Sequence, residues 1–148
     1  MKIKKLFLLR HASFDNTNDA DPSLSDEGEW QAGNLAESIE ENLNGDISDI
    51  TIWTSSAKRA KETALIILRK FPSAKFVEYR KLWDDRDHKY DFNWFANELD
   101  NFDGKILIVI SHLNYVCFFP KEKLGFDNIR ASCAMGILVE NGQQSHFE

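Results

Sequence analysis

Hydrophobic and polar residues along this 148-residue chain fall into blocks whose lengths separate strands from helices. Ile3 to Leu9 is a short apolar run bounded by charge, with the length of a buried strand. Beyond a polar loop over 13–23, Ser25 stands ahead of Asp26, Glu27 and Gly28, and Trp30, Ala32, Leu35, Ile39 and Leu43 recur at helical spacing. The pattern predicts an amphipathic helix with an acidic first turn, stopped by Asn44-Gly45. Ile50 to Trp53 predicts a second strand leading into Thr54-Ser55-Ser56. A second helix is expected from about Ser56, with Ala60, Ala64, Ile67 and Leu68 on its apolar side and an end before Pro72.

Phe76 to Tyr79 reads as a third strand, and Lys81 to Asp91 as a charged, irregular segment. Phe92, Phe95, Ala96 and Leu99 predict a third helix closed by Gly104. Ile106 to Ile110 is an apolar run rich in β-branched residues, and Met135 to Val139 is expected to be the last strand. Strands alternating with helices imply right-handed crossovers and a mainly parallel sheet covered on both faces. The expected fold is α/β, a three-layer α/β/α sandwich forming one domain over residues 1–148.

Composition changes this picture little. Hydrophobic residues are 43% and charged residues 28%, an ordinary globular balance that excludes a disordered chain. The net charge of -6, with no block of Lys and Arg, argues against nucleic acid as a partner, and means that an anionic substrate needs a local positive site. The start MKIKKLFLLRHAS has an uninterrupted apolar run of only four residues, Leu6 to Leu9, before Arg10 and His11, so it reads as a strand and not as a targeting signal. No apolar stretch approaches the roughly 18 residues of a membrane span, so no membrane partner is expected. Cys117 and Cys133 lack metal-type or CxxC spacing and read as reduced core residues of a cytoplasmic protein.

The chemistry lies at the strand ends, because ligands of open α/β sheets bind outside the carboxyl ends of the strands. The first strand ends in Arg10-His11, the second leads through Ser55 and Ser56 to Arg59, and the strand from Ile106 ends in Ser111-His112. Guanidinium forks match phosphate oxygens, and helix-starting N–H groups near Ser56 add partial positive charge. A neutral imidazole can attack phosphorus while a second histidine hydrogen-bonds the equatorial oxygens, a scheme that needs no metal and no cofactor.

Taken singly, these residues have plainer readings. Arg59 could be an ion-pair partner of Glu62 or Glu37 on a helix surface. Asp15, Asp19 and Asp21 lack the ligand spacing of a calcium loop and read as a solvated loop. Phe92 and Phe95 are expected in the core, Trp83 and Trp94 fit either a core or a pocket wall, and His146 falls in a polar tail without a role.

Together, LLRHAS, LSDEGEWQA (24–32), TSSAKRAKETA (54–64) and VISHLNYV (109–116) resemble the ordered motifs of the histidine phosphatase superfamily, the phosphoglycerate-mutase-like proteins, and its small phosphohistidine-phosphatase-like branch in particular. The resemblance implies the phosphoglycerate-mutase-like fold, with His11 as nucleophile, Arg10 and Arg59 binding phosphate, and His112 completing the pocket. Two positions depart from the family pattern: Ala12 and Leu113 stand where glycine is usual. The family places a general acid after the third strand, where no glutamate falls. Asp84 is the first choice, with Asp85 and His88 as alternatives and Asp87 in the same acidic stretch.

The function expected is a metal-independent phosphatase, hydrolysing a phosphomonoester or a protein phosphohistidine through a phosphohistidine on His11. Its partner would be a phosphorylated small molecule or a phosphohistidine protein. The alternatives are a phosphate-binding module with little or no turnover, a phosphosugar phosphatase or mutase, and a metallophosphatase built on His11, His112 and nearby aspartates. Only about a dozen residues separate the third strand from the third helix, little room for an enclosing lid, which disfavours a mutase.

Overall fold

A computed structural model describes residues 1–84, 89–127 and 129–148. The elements follow in the order β1 (Lys5–Arg10), α1 (Asp26–Leu43), β2 (Ile50–Ser55), α2 (Lys58–Lys70), β3 (Lys75–Tyr79), a 3-10 turn (Arg80–Leu82), α3 (Phe92–Asn101), β4 (Ile106–Ser111), a π turn (Asn114–Phe118), α4 (Phe119–Leu124), β5 (Gly136–Glu140) and β6 (Gln143–Phe147). They form a six-stranded sheet in the order β3-β2-β4-β1-β5-β6. The first four strands run parallel, so their carboxyl ends share one rim, while β5 lies antiparallel to β1 and β6 to β5.

Alternation along the strands divides the core between the two faces of the sheet. Phe7 and Leu9 of β1, with Ile52 and Ile108, pack under α1 and α2 through Leu35, Ile39, Ala60, Ala64 and Ile67. Leu6 and Leu8, with Trp53, Leu107 and Val109, meet α3 and the segment after β4 through Phe95, Leu99, Tyr115 and Phe119. The result is the expected three-layer α/β/α sandwich with a mainly parallel sheet.

The rim is shaped by how closely α1 approaches it. Ser25 caps α1 by accepting the Gly28 N–H, and its own N–H donates to the Ser13 carbonyl. A Cβ on Gly28 would lie 1.8 Å from the Ser13 oxygen, so only glycine lets the helix seat on the loop leaving β1. Asn44 in the left-handed region ends the helix, as expected.

Several expectations are corrected. Trp30 is 69% exposed: the buried stripe of α1 runs Gly28, Ala32, Leu35, Ile39 and Leu43, and Trp30 lies off it. Met135–Val139 is not the last strand, because β6 follows through an Asn141-Gly142 turn with both residues at positive φ. His146 therefore belongs to a strand and not to a tail. The second helix begins at Lys58 and not at Ser56, and α4 and the π turn were not expected.

Candidate active site

His11 is the first residue beyond β1, and backbone bonds from three sides fix it. Its N–H donates to the Ser111 carbonyl at the end of β4, and its carbonyl accepts from Ala134. Its ring is 2% exposed, and Nδ1 lies 2.8 Å from the Ala12 carbonyl oxygen. A carbonyl can only accept, so Nδ1 carries the proton and Nε2 keeps its lone pair. Burial, with added repulsion from Arg59 and Arg10, pushes the His11 pKa from 6.5 down to about 3, against the opposing Ala12 bond. The imidazole is neutral at physiological pH.

Nε2 faces Arg59. The arginine sits in the first turn of α2, 8% exposed, with Nε 3.3 Å from His11 Nε2 and Nη2 3.5 Å from His112 Nδ1. Its position is fixed from behind, since Thr63 Oγ1 donates to the Arg59 carbonyl and accepts the Ala12 N–H. The bond through Thr63 ties the helix to the loop that leaves β1. The surface ion pairs weighed for Arg59 are not made with the named partners: Glu37 pairs with Lys70, and Glu62 accepts the Leu24 N–H.

His112 follows β4 directly, is 4% exposed, and stands with its ring 5.0 Å from that of His11. Its Nε2 lies 2.8 Å from Ser55 Oγ, and that oxygen also accepts the Ala57 N–H.

Arg10 lies on the same rim. Nη1 reaches the Ala131 carbonyl at 3.2 Å, while Nε is buried with no hydrogen-bond partner among the described residues. Ser56 Oγ, at the β2 exit, is in the same condition. Buried polar atoms are rarely left unpaired, and these two lie at the same rim. The helix-start donors are more occupied than expected: Asp21 accepts the Lys58 N–H at 2.8 Å and so caps α2, whereas Asp15 and Asp19 are exposed.

Asp84 is buried and accepts the Tyr115 N–H through Oδ2 at 3.1 Å. Asp85, Asp87 and His88 lie outside the described residues. Trp83 packs against the α1/α2 side of the core and Trp94 against the other side, and Phe92 and Phe95 are buried as expected.

Three further residues at the site had no role assigned from the sequence. Phe14 meets the His11 ring edge-on at 5.5 Å and lies under the Arg59 guanidinium at 5.1 Å. Ser55 orients His112, and Tyr115 holds Asp84. Ser55 and Tyr115 fall within the quoted motifs, which could have pointed to them, whereas Phe14 is visible only in three dimensions.

The sequence pattern of the histidine phosphatase superfamily (branch 1) matches residues 6–89. The chain belongs to this superfamily. Membership places the protein among the phosphatases, and the matched span contains Arg10, His11, Arg59 and Asp84. No curated protein matches the sequence. Among solved structures, the protein histidine phosphatase SixA complexed with tungstate is 20% identical with a TM-score of 0.71, covering 97% of this chain and 94% of that one. Phosphoglycerate mutase from Plasmodium falciparum is 20% identical with a TM-score of 0.67, over 97% and 88% of the two chains. A mycobacterial glucosyl-3-phosphoglycerate phosphatase complexed with VO3 is 15% identical with a TM-score of 0.66, over 93% and 91%. All three share the fold of this chain. Among the described residues no helix is long and apolar enough to cross a membrane.

Proposed function

We propose that the protein is a metal-independent phosphatase acting on a phosphomonoester or a protein phosphohistidine, with His11 as the phosphoryl acceptor. The observation that carries this reading is the state of His11: a neutral ring, its Nδ1–H tied to Ala12, its Nε2 lone pair turned toward Arg59 and the neighbouring His112. Such an imidazole is a nucleophile held in one tautomer and one orientation.

When the phosphoryl group enters, its oxygens take over the donors of Arg59, and Arg10 Nε, Ser56 Oγ and His112 surround the equatorial oxygens as charge builds. The Nε2 lone pair forms the N–P bond as the bond from phosphorus to the leaving atom breaks, and Asp84, which takes up a proton from solvent as the anionic substrate binds, delivers that proton to the departing atom. Both ring nitrogens of His11 are then substituted, and the Ala12 carbonyl stabilises the resulting cation. Asp84, now a carboxylate, takes a proton from water; the water oxygen bonds to phosphorus, the N–P electrons return to Nε2, and phosphate leaves.

Twelve residues, 80–91, separate β3 from α3, which favours an open mouth suited to a bulky or protein-borne phosphate over an enclosed mutase site. Among the fold neighbours, SixA is a protein histidine phosphatase, and the mycobacterial enzyme is named for a phosphosugar acid. Labelling with a radioactive phosphate donor tests the mechanism: an acid-labile label should map to His11 and vanish in His11→Ala, and a label on any other residue overturns it. Stopped-flow release from an aryl phosphate separates an enzyme from a phosphate-binding module, since only the enzyme gives a burst proportional to its concentration. Full activity in excess EDTA is expected and would exclude the metallophosphatase reading.

A further inference from the structure

The segment between β3 and α3 carries the proposed acid, and among the described residues Tyr115 binds it at both ends. Tyr115 is fully buried in the π turn that follows His112, and it contacts that segment at three points. Its N–H donates to Asp84 Oδ2 at 3.1 Å, its hydroxyl donates to the Lys81 carbonyl at 2.6 Å, and the same hydroxyl accepts the Asp91 N–H at 2.8 Å. Lys81 and Asp91 bracket Asp84 on both sides, so one phenol ties down both ends of the acid-bearing segment while the amide of the same residue holds the acid itself. Ser111 adds a fourth tie, donating to the Leu82 carbonyl at 2.6 Å.

The anchor is itself rigid. The ring of Tyr115 meets Phe92 at 5.6 Å and Phe95 at 5.3 Å, both edge-on, and lies in the core beneath α3. Burial, reinforced by the Asp84 and Asp91 carboxylates, pushes the phenol up to about 12, so the hydroxyl keeps the proton it donates to Lys81. The Val116 N–H bonds back to the His112 carbonyl, so the turn bearing Tyr115 is continuous with the residue that faces His11.

We propose that Tyr115 is a positioning residue for leaving-group protonation: its hydroxyl clamps Lys81 and Asp91 so that Asp84 stands at a fixed distance from the rim that holds His11 and His112. The inference rests on the reading of Asp84 as the acid and adds the residue through which that acid is placed. Proton transfer falls off steeply when an acid is misplaced by an ångström, so loosening the clamp slows only substrates whose leaving atom needs a proton.

The leaving group therefore supplies the test. Dinitrophenyl phosphate departs as a stable anion and needs no proton, whereas glycerol phosphate leaves an alkoxide that does. For the full chain, kcat/KM is measured on both with Tyr115→Phe, Asp84→Asn and the double variant, alongside Phe95→Leu, which disturbs the same core while leaving the hydroxyl in place. Tyr115→Phe should lower the glycerol phosphate value about tenfold and the dinitrophenyl phosphate value less than about twofold, and Asp84→Asn should do the same by about a hundredfold or more. The double variant should be no slower than Asp84→Asn alone, because both act through one proton transfer. Phe95→Leu should lower the melting temperature and leave the ratio of the two substrates unchanged. A Tyr115→Phe protein that slows both substrates equally, or neither, overturns the proposal while Asp84→Asn retains its selective effect. If Asp84→Asn shows no selectivity either, the acid assignment fails and the positioning role fails with it.

Discussion

At the scale of single residues, the role proposed for His11 rests on surroundings that forbid the charge histidine ordinarily takes. In the unfolded chain the ring binds a proton near pH 6.5, and in the folded protein only near pH 3. Between those values the unfolded state binds more protons, so stability falls as pH falls through this window, and His11 opposes folding progressively more toward acid. His11→Gln should therefore flatten the acid side of the stability profile, by at most about 1.4 kcal/mol per pH unit, in urea unfolding repeated across that window. The same burial predicts that the ring resonances of His11 stay fixed between about pH 5 and 8; a midpoint inside that range would mean a hydrated ring. The fixed tautomer follows from a contact with the adjacent Ala12 carbonyl, which a reading of motifs cannot supply. His11, Arg59 and His112 were legible because each follows a strand or opens a helix. Phe14 was not, because its role depends on which ring and which guanidinium fold over it.

At the scale of elements, periodicity was legible wherever one face of an element is apolar and the other polar. It misled at Trp30, which is large and apolar yet five positions from Leu35, off the stripe that Gly28 and Ala32 begin. It was silent at β6, whose residues Gln143 to His146 are polar because the strand lies at an edge of the sheet; the Asn141-Gly142 turn was the available signal. In α4 and the π turn, the run from Tyr115 to Pro120 is apolar on nearly every side and shows no helical period. Gly28 gives this scale its prediction. Because the clash of an added Cβ is with the Ser13 backbone, no rotamer relieves it, and Gly28→Ala should destabilise the protein by about 1–3 kcal/mol in urea titration. It should also displace the loop from Ser13 to Phe14 and lower turnover, whereas Gly33→Ala, whose Cβ meets nothing within 4 Å, should leave both unchanged.

At the scale of the whole molecule, the site exists because β2, β4 and β1 are adjacent and parallel, so residues 11, 55, 59 and 112, distant in sequence, arrive at one rim. The rim gathers two guanidinium groups, two histidines and two buried polar atoms without a partner among the described residues, in a chain of net charge -6, so an oxyanion there should stabilise the entire fold. A ligand that binds only the native state adds about 2.7 kcal/mol at a hundred times its Kd. For a domain of this size that raises the melting temperature by roughly 5–10 °C. Vanadate, which takes the five-coordinate geometry of phosphoryl transfer, should give such a shift. Arg10→Gln should reduce it strongly, since Arg10 Nε is one of the donors without a partner among the described residues. Arg69→Gln, an exposed change on α2, the helix that carries Arg59, should preserve the shift and so control for net charge. An equal loss of the shift in both variants would mean that the anion responds to overall charge, and that no cradle forms at the ends of β1 and β2.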